Sequence, residues 1–265
     1  MVVTSFASQL WEGTLLNELE KATVASVFYN DVYKHFVKDY GDSIQVNSIG
    51  DINIYKFQDE QKPSRTMQRL PRQLLTIDQK IAFNFVVTDV EQVQKKSNIL
   101  VSGMMKVARE LALFQDDFLL DTLEGAIPNE NRTIQTISNP EQLLSAIAIL
   151  RTILRNNNVS VAGRILAMPP EAVEMLLNNG RVLTLANESF RNGYIGRMLG
   201  FDIYEMNALK NKMIAGHNSG ATLAEQVPRM EAFQTVDMGD EVHGLHMYGA
   251  CVTKPEVFAV AELNF

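Results

Sequence analysis

His243 and His246 stand three residues apart in "EVHGLHMYGACVT", the one close pair among four histidines. A chelating pair of imidazoles would suit zinc and metal-assisted hydrolysis. The flanking residues read as a strand, however, and in a strand a spacing of three turns two side chains to opposite faces. The pair is therefore read as two half-exposed polar residues. His35 and His217 have no partner near them in sequence. Cys251, the single cysteine, lies between Ala250 and Val252. No histidine or helix N-terminus beside it would lower its pKa, so it reads as a small buried hydrophobe rather than a nucleophile.

Paired carboxylates can do acid–base work. Asp116, Asp117, Asp121 and Glu124 crowd the end of a helical run that is apolar on its other side. Such a cluster reads as a solvated or partner-facing flank. Negative charge at a helix C-terminus is unfavourable, which predicts a cationic partner close by, in the same chain or in another. Gly193, Gly196 and Gly200 in "GYIGRMLG" match neither the dinucleotide nor the P-loop spacing, and "GHNSGAT" lacks the lysine. No catalytic residue, metal site or cofactor is predicted. Met104, Met105, Met168, Met175 and Met198 fall within apolar runs and read as core filler.

The elements that would position any site come next. The 265 residues bury a sizeable core without staples, as one large domain or two small ones. One cysteine excludes an internal disulfide framework and suits a reducing compartment. A net charge of -7 argues against a dedicated nucleic-acid binder, whose footprint is a basic face. No basic n-region opens the chain, and the longest clean apolar run, "LLSAIAIL", is far short of the roughly 20 residues a membrane span needs. A soluble protein is expected.

Residues 1–40 mix short helical and extended stretches, and their apolar residues form no single stripe; they read as an arm laid along a surface. In "GDSIQVNSIGDINIYKF", Ile44, Val46, Ile52 and Ile54 alternate with polar residues. "QDEQKPSRTMQRLPRQ" then turns polar and basic, with Lys62, Arg65, Arg69 and Arg72, before "LLTIDQKIAFNFVVTDV" returns to strand with Ile81, Phe83 and Phe85 on one face. Strand, long basic loop and strand predict an extended hairpin whose tip buries nothing within its own fold. "SNILVSGMMKVARELALFQDDFLLDTLEG" predicts a helix of about 40 Å, with Leu100, Met104, Val107, Leu111, Phe114 and Phe118 as its stripe, Ser97 as N-cap and Gly125 as stop. From about 130 to 228 an α/β lobe follows: a helix at "NPEQLLSAIAILRTILRNNN", a strand and a helix opened by Pro169-Pro170, a strand at "GFDIYEMNAL" and a turn at "GHNSGAT". Two strands, "LHMYGACVT" and "VFAVAEL", close the chain around Lys254-Pro255-Glu256. Parts that cannot cover their own apolar surface imply neighbours that do.

In their order and spacing, "QLWEGTLLNELEKATV", Asn30, Gly41-Asp42, Ile49-Gly50, "LLTIDQKIAFNFVVTDVEQ", "GFDIYEMNAL" and "GLHMYGACVTKPE" resemble the major capsid proteins of tailed bacteriophages. The resemblance runs from about Phe6 onward. It departs at Cys251, where a basic residue is expected, and at Asp31, where an arginine is. It implies an α+β chain with the HK-ninety-seven-like (Johnson) capsid fold. Residues 1–40 would be the N-terminal arm and 41–90 the extended loop with its flanking strands. Residues 91–129 and 229–265 would be the peripheral domain, whose closing strands pair beside the long helix, and 130–228 the axial domain.

The function implied is structural: self-assembly through pentamers and hexamers into an icosahedral head shell around phage DNA, with no enzymatic activity and no cofactor. The expected partners are further copies of the chain, a separate scaffolding protein, portal and decoration proteins and non-specifically packaged double-stranded DNA, with no membrane. The arm motif begins within ten residues of Met1, which favours a separate scaffold over a cleaved assembly segment. The expected place is the virion capsid, assembled in the host cytoplasm. Arg65, Arg69 and Arg72 would meet carboxylates of an adjacent copy, with Asp116 and Asp117 as candidates. Lys62 is the lysine of the loop, and no crosslink is predicted through it. The rivals are an encapsulin-type nanocompartment and a soluble α/β enzyme whose site escapes motif detection.

Overall fold

Residues Ile99–Ala126 form one α-helix of 28 residues, about 42 Å long at the α-helical rise. The computed structural model describes residues 13–33, 40–47, 72–88, 99–178, 193–235 and 239–265. A helix over 13–22, α1, precedes this one, which is α2. The buried face of α2 carries Met104, Ala108, Leu111, Ala112, Leu119, Leu120 and Leu123. From Leu111 the stripe therefore continues through Gln115 to Leu119, four residues at a time, and not through Phe114, which is 61% exposed. Phe118 is half-buried, edge-on to Tyr248 at 5.4 Å. Both phasings satisfy helical periodicity locally; Leu119, Leu120 and Leu123 decide between them, because only the first continues into them. The predicted stop at Gly125 falls one residue before the last, and Ser97 lies outside the described residues.

Two apolar clusters share α2. Its first half packs with Leu15 and Leu19 of α1 and with Val227, Met230 and Val242. Its second half, from Leu119 to Leu123, joins Ile127 in the largest cluster of the chain.

The strands fall into three sheets. β1 (Ser43–Asn47) and β2 (Arg72–Thr76) pair antiparallel, from Ser43↔Thr76 to Asn47↔Arg72. This is the base of the predicted hairpin; Ile52, Ile54 and the basic stretch lie outside the described residues. "LLTIDQKIAFNFVVT" is not one strand but two. The run breaks at Ile77-Asp78, where β2 ends and β3 (Gln79–Thr88) leaves for another sheet. Ile81, Phe83 and Phe85 do share the inner face of β3, against the first half of α2.

β3 pairs antiparallel with β10 (Gly239–Val252), which pairs in turn with β9 (Ala221–Thr235). Between Leu245↔Arg229 and Met247↔Gln226, two residues of β9 oppose one of β10. The extra pair is Val227-Pro228, and a bulge suits a proline that has no ladder donor.

The third sheet has six strands: β4 (Arg132–Thr136), β5 (Arg164–Met168), β6 (Tyr194–Met198), β7 (Phe201–Glu205), β8 (Lys212–His217) and β11 (Ala259–Asn264). Their order is β4-β11-β8-β5-β7-β6. Helix α3 (Pro140–Asn156) links β4 to β5, and α4 (Pro170–Asn178) follows β5 and precedes β6. Asn139 caps α3, its side chain accepting from the Gln142 N–H at 2.9 Å, with Pro140 in the first turn. α3 and α4 touch, so they cover the same face.

Of the two closing strands only β10 stays with the sheet beside α2. The 3₁₀ turn Pro255–Val257 turns the chain, and β11 runs into the six-stranded sheet, parallel to β4 and antiparallel to β8.

Two glycines separate a steric requirement from a free position. A Cβ at Gly249 would lie 2.0 Å from the Thr76 carbonyl oxygen, where β10 passes the hairpin base, whereas one at Gly125 meets nothing within 4 Å. Gly249→Ala should cost about 1–3 kcal/mol, because backbone cannot yield as a side chain does. Gly125→Ala should add about 0.5–1 kcal/mol. Urea unfolding of the two variants checks this, and equal midpoints would contradict it.

Candidate inter-subunit surface

The basic residues proposed to reach a neighbour begin at the open end of the hairpin. Arg72 opens β2 opposite Asn47; Lys62, Arg65 and Arg69 lie outside the described residues.

On α2 the two candidate acceptors diverge. Asp116 is 9% exposed. Its carboxylate accepts from the backbone N–H of Val24, at 3.1 Å to each oxygen, and from that of Ala25 at 2.8 Å. The carboxylate expected to face another copy thus holds the arm of its own chain. The next residues follow it: Tyr29 donates to the Leu119 carbonyl at 2.6 Å, and Asn30 donates to the Ala221 carbonyl at 2.7 Å. Burial pushes the Asp116 carboxyl up to about 6; the Ala25 and Val24 N–H groups oppose this, and the charge of Asp117 adds to it. Asp117 and Asp121 are exposed.

Glu124 answers the prediction of a cation at the acidic helix end, and the cation is intramolecular. Lys212 Nζ lies 2.5 Å from Glu124 Oε1, and Arg132 Nη1 lies 3.9 Å from it. The Arg132 guanidinium also donates to the carbonyls of Ile127, at 3.2 Å, and of Glu124. Carbonyls left without intrahelical partners at the end of α2 are thereby satisfied.

Ahead of this, α2 and β3 flank a groove of about 400 Å³. Ile81, Phe83, Phe85, Val107 and Phe114 line it, together with Lys106 and Glu110. Gly103 keeps it open, since a Cβ there would come within 2.8 Å of the Phe85 ring. Leu113 and Phe114 are 63% and 61% exposed.

The residues weighed for chemistry are accounted for structurally. His243 is exposed, with Nε2 3.1 Å from Glu241. His246 is fully buried, not half-exposed. It stacks on Tyr248 at 4.9 Å and approaches Glu225 at 4.0 Å. The bulge opposite Val227-Pro228 falls at its position. Gln115, fully buried on α2, donates to the same Glu225 carboxylate at 2.7 Å. Cys251 is half-buried, and burial raises its thiol pKa. Among the described residues no three His, Cys, Asp or Glu side chains gather as metal ligands, and no helix is long and apolar enough to cross a membrane. Sequence reasoning passed over the Asp116 contact. Its signal is that Asp116 stands four residues after Ala112 and three before Leu119, on the buried side.

A family model described as "Phage capsid protein" matches residues 73–260. The chain belongs to the phage capsid protein family. Among solved structures, the capsid protein is similar to a chain of Mycobacterium phage Che8, with 26% identity, 90% of each chain covered and a TM-score of 0.66. The capsid of Cyanophage P-SCSP1u is similar at 14% identity, covering 93% of this chain and 90% of that one with a TM-score of 0.69. A virus-like particle from Pyrococcus furiosus is similar at 17% identity, with 97% and 99% covered and a TM-score of 0.60. No curated protein matches. The fold is HK-ninety-seven-like, as the resemblance implied. The protein is a structural major capsid protein of the virion, not an enzyme, and it assembles with its own kind into a shell.

The Asp116 contact has a pH dependence of definite sign. A folded-state pKa of about 6, above the ordinary 3.8, means the native chain holds this proton more tightly than the unfolded one. The stability it contributes is fully present below about pH 4 and is lost as pH rises through about 6, by up to about 3 kcal/mol. In urea unfolding of unassembled subunits, the stability difference between wild type and Asp116→Asn should change across that window. A difference independent of pH would contradict the assignment.

Proposed function

We propose that copies of this chain associate through pentamers and hexamers into an icosahedral shell around double-stranded DNA, assembled in the host cytoplasm with a separate scaffolding protein. The β1–β2 pair carries this reading. It opens toward residues 48–71, which hold Lys62, Arg65 and Arg69. A leg of about twelve residues reaches at most about 40 Å when extended, enough to lie over a neighbour. There the arginines bind carboxylates through their planar forks, with Asp117 as the exposed candidate. Residues 130–228 act as the axial domain, joined in its sheet by β11, and 91–129 with the rest of 229–265 as the peripheral one. Portal and decoration proteins complete the head. Contact with DNA is non-specific and salt-dependent, and an acidic subunit does not trap nucleic acid before assembly.

Each contact is modest, and the shell holds because every subunit engages several neighbours at once. Arg65→Glu with Arg69→Glu should abolish shells in negative-stain electron microscopy while circular dichroism and the unfolding midpoint stay those of the wild type. Full-sized particles from that variant would refute the loop's role. Particle size and content distinguish the encapsulin-type alternative, which encloses an enzyme instead of DNA.

A further inference from the structure

α3 and α4 present opposite charges that no ion pair among the described residues neutralises. Arg151 and Arg155 on α3 are exposed and one turn apart. Beneath them Arg164, the first residue of β5, is 2% exposed and donates to the carbonyls of Ser160, at 2.7 Å, and Val159, at 2.6 Å. Burial lowers the Arg164 pKa, and the charges of Arg151 and Arg155 lower it further, so the three guanidiniums lie within electrostatic reach of one another. On α4, Glu171 and Glu174 are exposed and three residues apart. Among the described residues none of these five side chains is in an ion pair.

Helix dipoles explain half of this. Glu171 stands in the first turn of α4 and Arg155 in the last turn of α3, where each charge is favoured. Arg151 and Glu174 have no such reason, and each neighbours a like charge at a spacing that weakens a helix.

The two patches lie on neighbouring helices over one face of the six-stranded sheet. α3 packs on β11 and β8, and α4 follows β5, the next strand of the sheet. The two patches are of opposite sign and stand on different elements. They match when each copy is turned the same way relative to the last, the head-to-tail contact that closes into a ring. The spacings agree: Arg151 and Arg155 are about 6 Å apart along α3, and Glu171 and Glu174 about 4.5 Å along α4. Each patch has an apolar neighbour, Val161 at 44% exposed in the loop before Arg164 and Leu177 at 57% one turn from Glu174.

We propose that Arg151 and Arg155 on α3 of one copy pair with Glu171 and Glu174 on α4 of the next around each ring. Arg164 holds the loop after α3 in place and reinforces the positive potential. The inference rests on the shell reading above, to which it adds a specific contact between successive lobes.

A charge exchange tests it in the full chain. Arg151→Glu with Arg155→Glu, and separately Glu171→Lys with Glu174→Lys, should each lower the assembled fraction in sedimentation by about tenfold or more, since like charges then face each other. Circular dichroism and the unfolding midpoint should show both variants folded. All four changes in one chain should restore assembly. Either two-site variant assembling at the wild-type yield would overturn the proposal. So would a folded four-site variant that assembles no better than the two-site ones. If the arginine variant formed normal particles that retained less nucleic acid, the cluster would be a polyanion site and the proposal wrong. Wild-type chain that forms no shell with its scaffold would instead overturn the shell reading itself.

Discussion

A helix of 28 residues is too long for one small core to bury, and the rest of the chain is arranged around that constraint. Its first half needs a cover and receives α1 with the β3-β10-β9 sheet. Its second half joins the largest apolar cluster of the described residues, with the six-stranded sheet, α3 and α4. The two clusters are joined in the chain through α2, the arm from Leu19 to Ala25, and the long strands β9 and β10. Between them the buried side of α2 turns polar, at Gln115 and Asp116. Groups taken out of water there must find partners in the chain. Gln115 finds Glu225, and Asp116 finds the arm backbone. The join between the cores is therefore directional where the cores are not. It fixes which part of the arm and which part of β9 lie against the middle of α2.

That arrangement gives the surface its character. With one side of α2 committed to burial, the other exposes Leu113, Phe114, Asp117 and Asp121, and the groove beside β3 stays open because Gly103 contributes no side chain. The end of the helix is closed within the chain by Arg132 and Lys212, so Glu124 is withdrawn from the acidic cluster. Of four acids that look alike in sequence, one binds the arm, one closes the helix end and two face outward. The outward pair alone is available to another molecule.

Periodicity made α3, β5 and α4 legible, with Asn139-Pro140 and Pro169-Pro170 marking the helix starts. It also gave the inward face of β3. It misplaced Phe114 because two phasings of an apolar stripe fit equally well until the next turn is counted. It fused β2 with β3, since alternation continues through Ile77-Asp78 although the partner strand changes there. Spacing put His243 and His246 on opposite faces but could not say which face was buried, because that depends on Tyr248, Glu225 and α2, all distant in sequence. Asp116 was counted among surface acids for the same reason: its partners, Val24 and Ala25, lie about ninety residues earlier. Composition and local pattern report elements; they do not report a backbone donor waiting on another segment.

β11 carries a consequence for when the molecule can form. It is the second strand of the six, and β4 has no other partner in that sheet. Residues 132–136 thus stay unpaired until residues 259–264 arrive, a loop closure spanning almost half the polypeptide. Contacts so remote in sequence form late. Until β11 docks, β4 is cut off from the other four strands. The six-stranded sheet is therefore completed by its most remote contact, and order in this lobe waits on the meeting of two distant stretches.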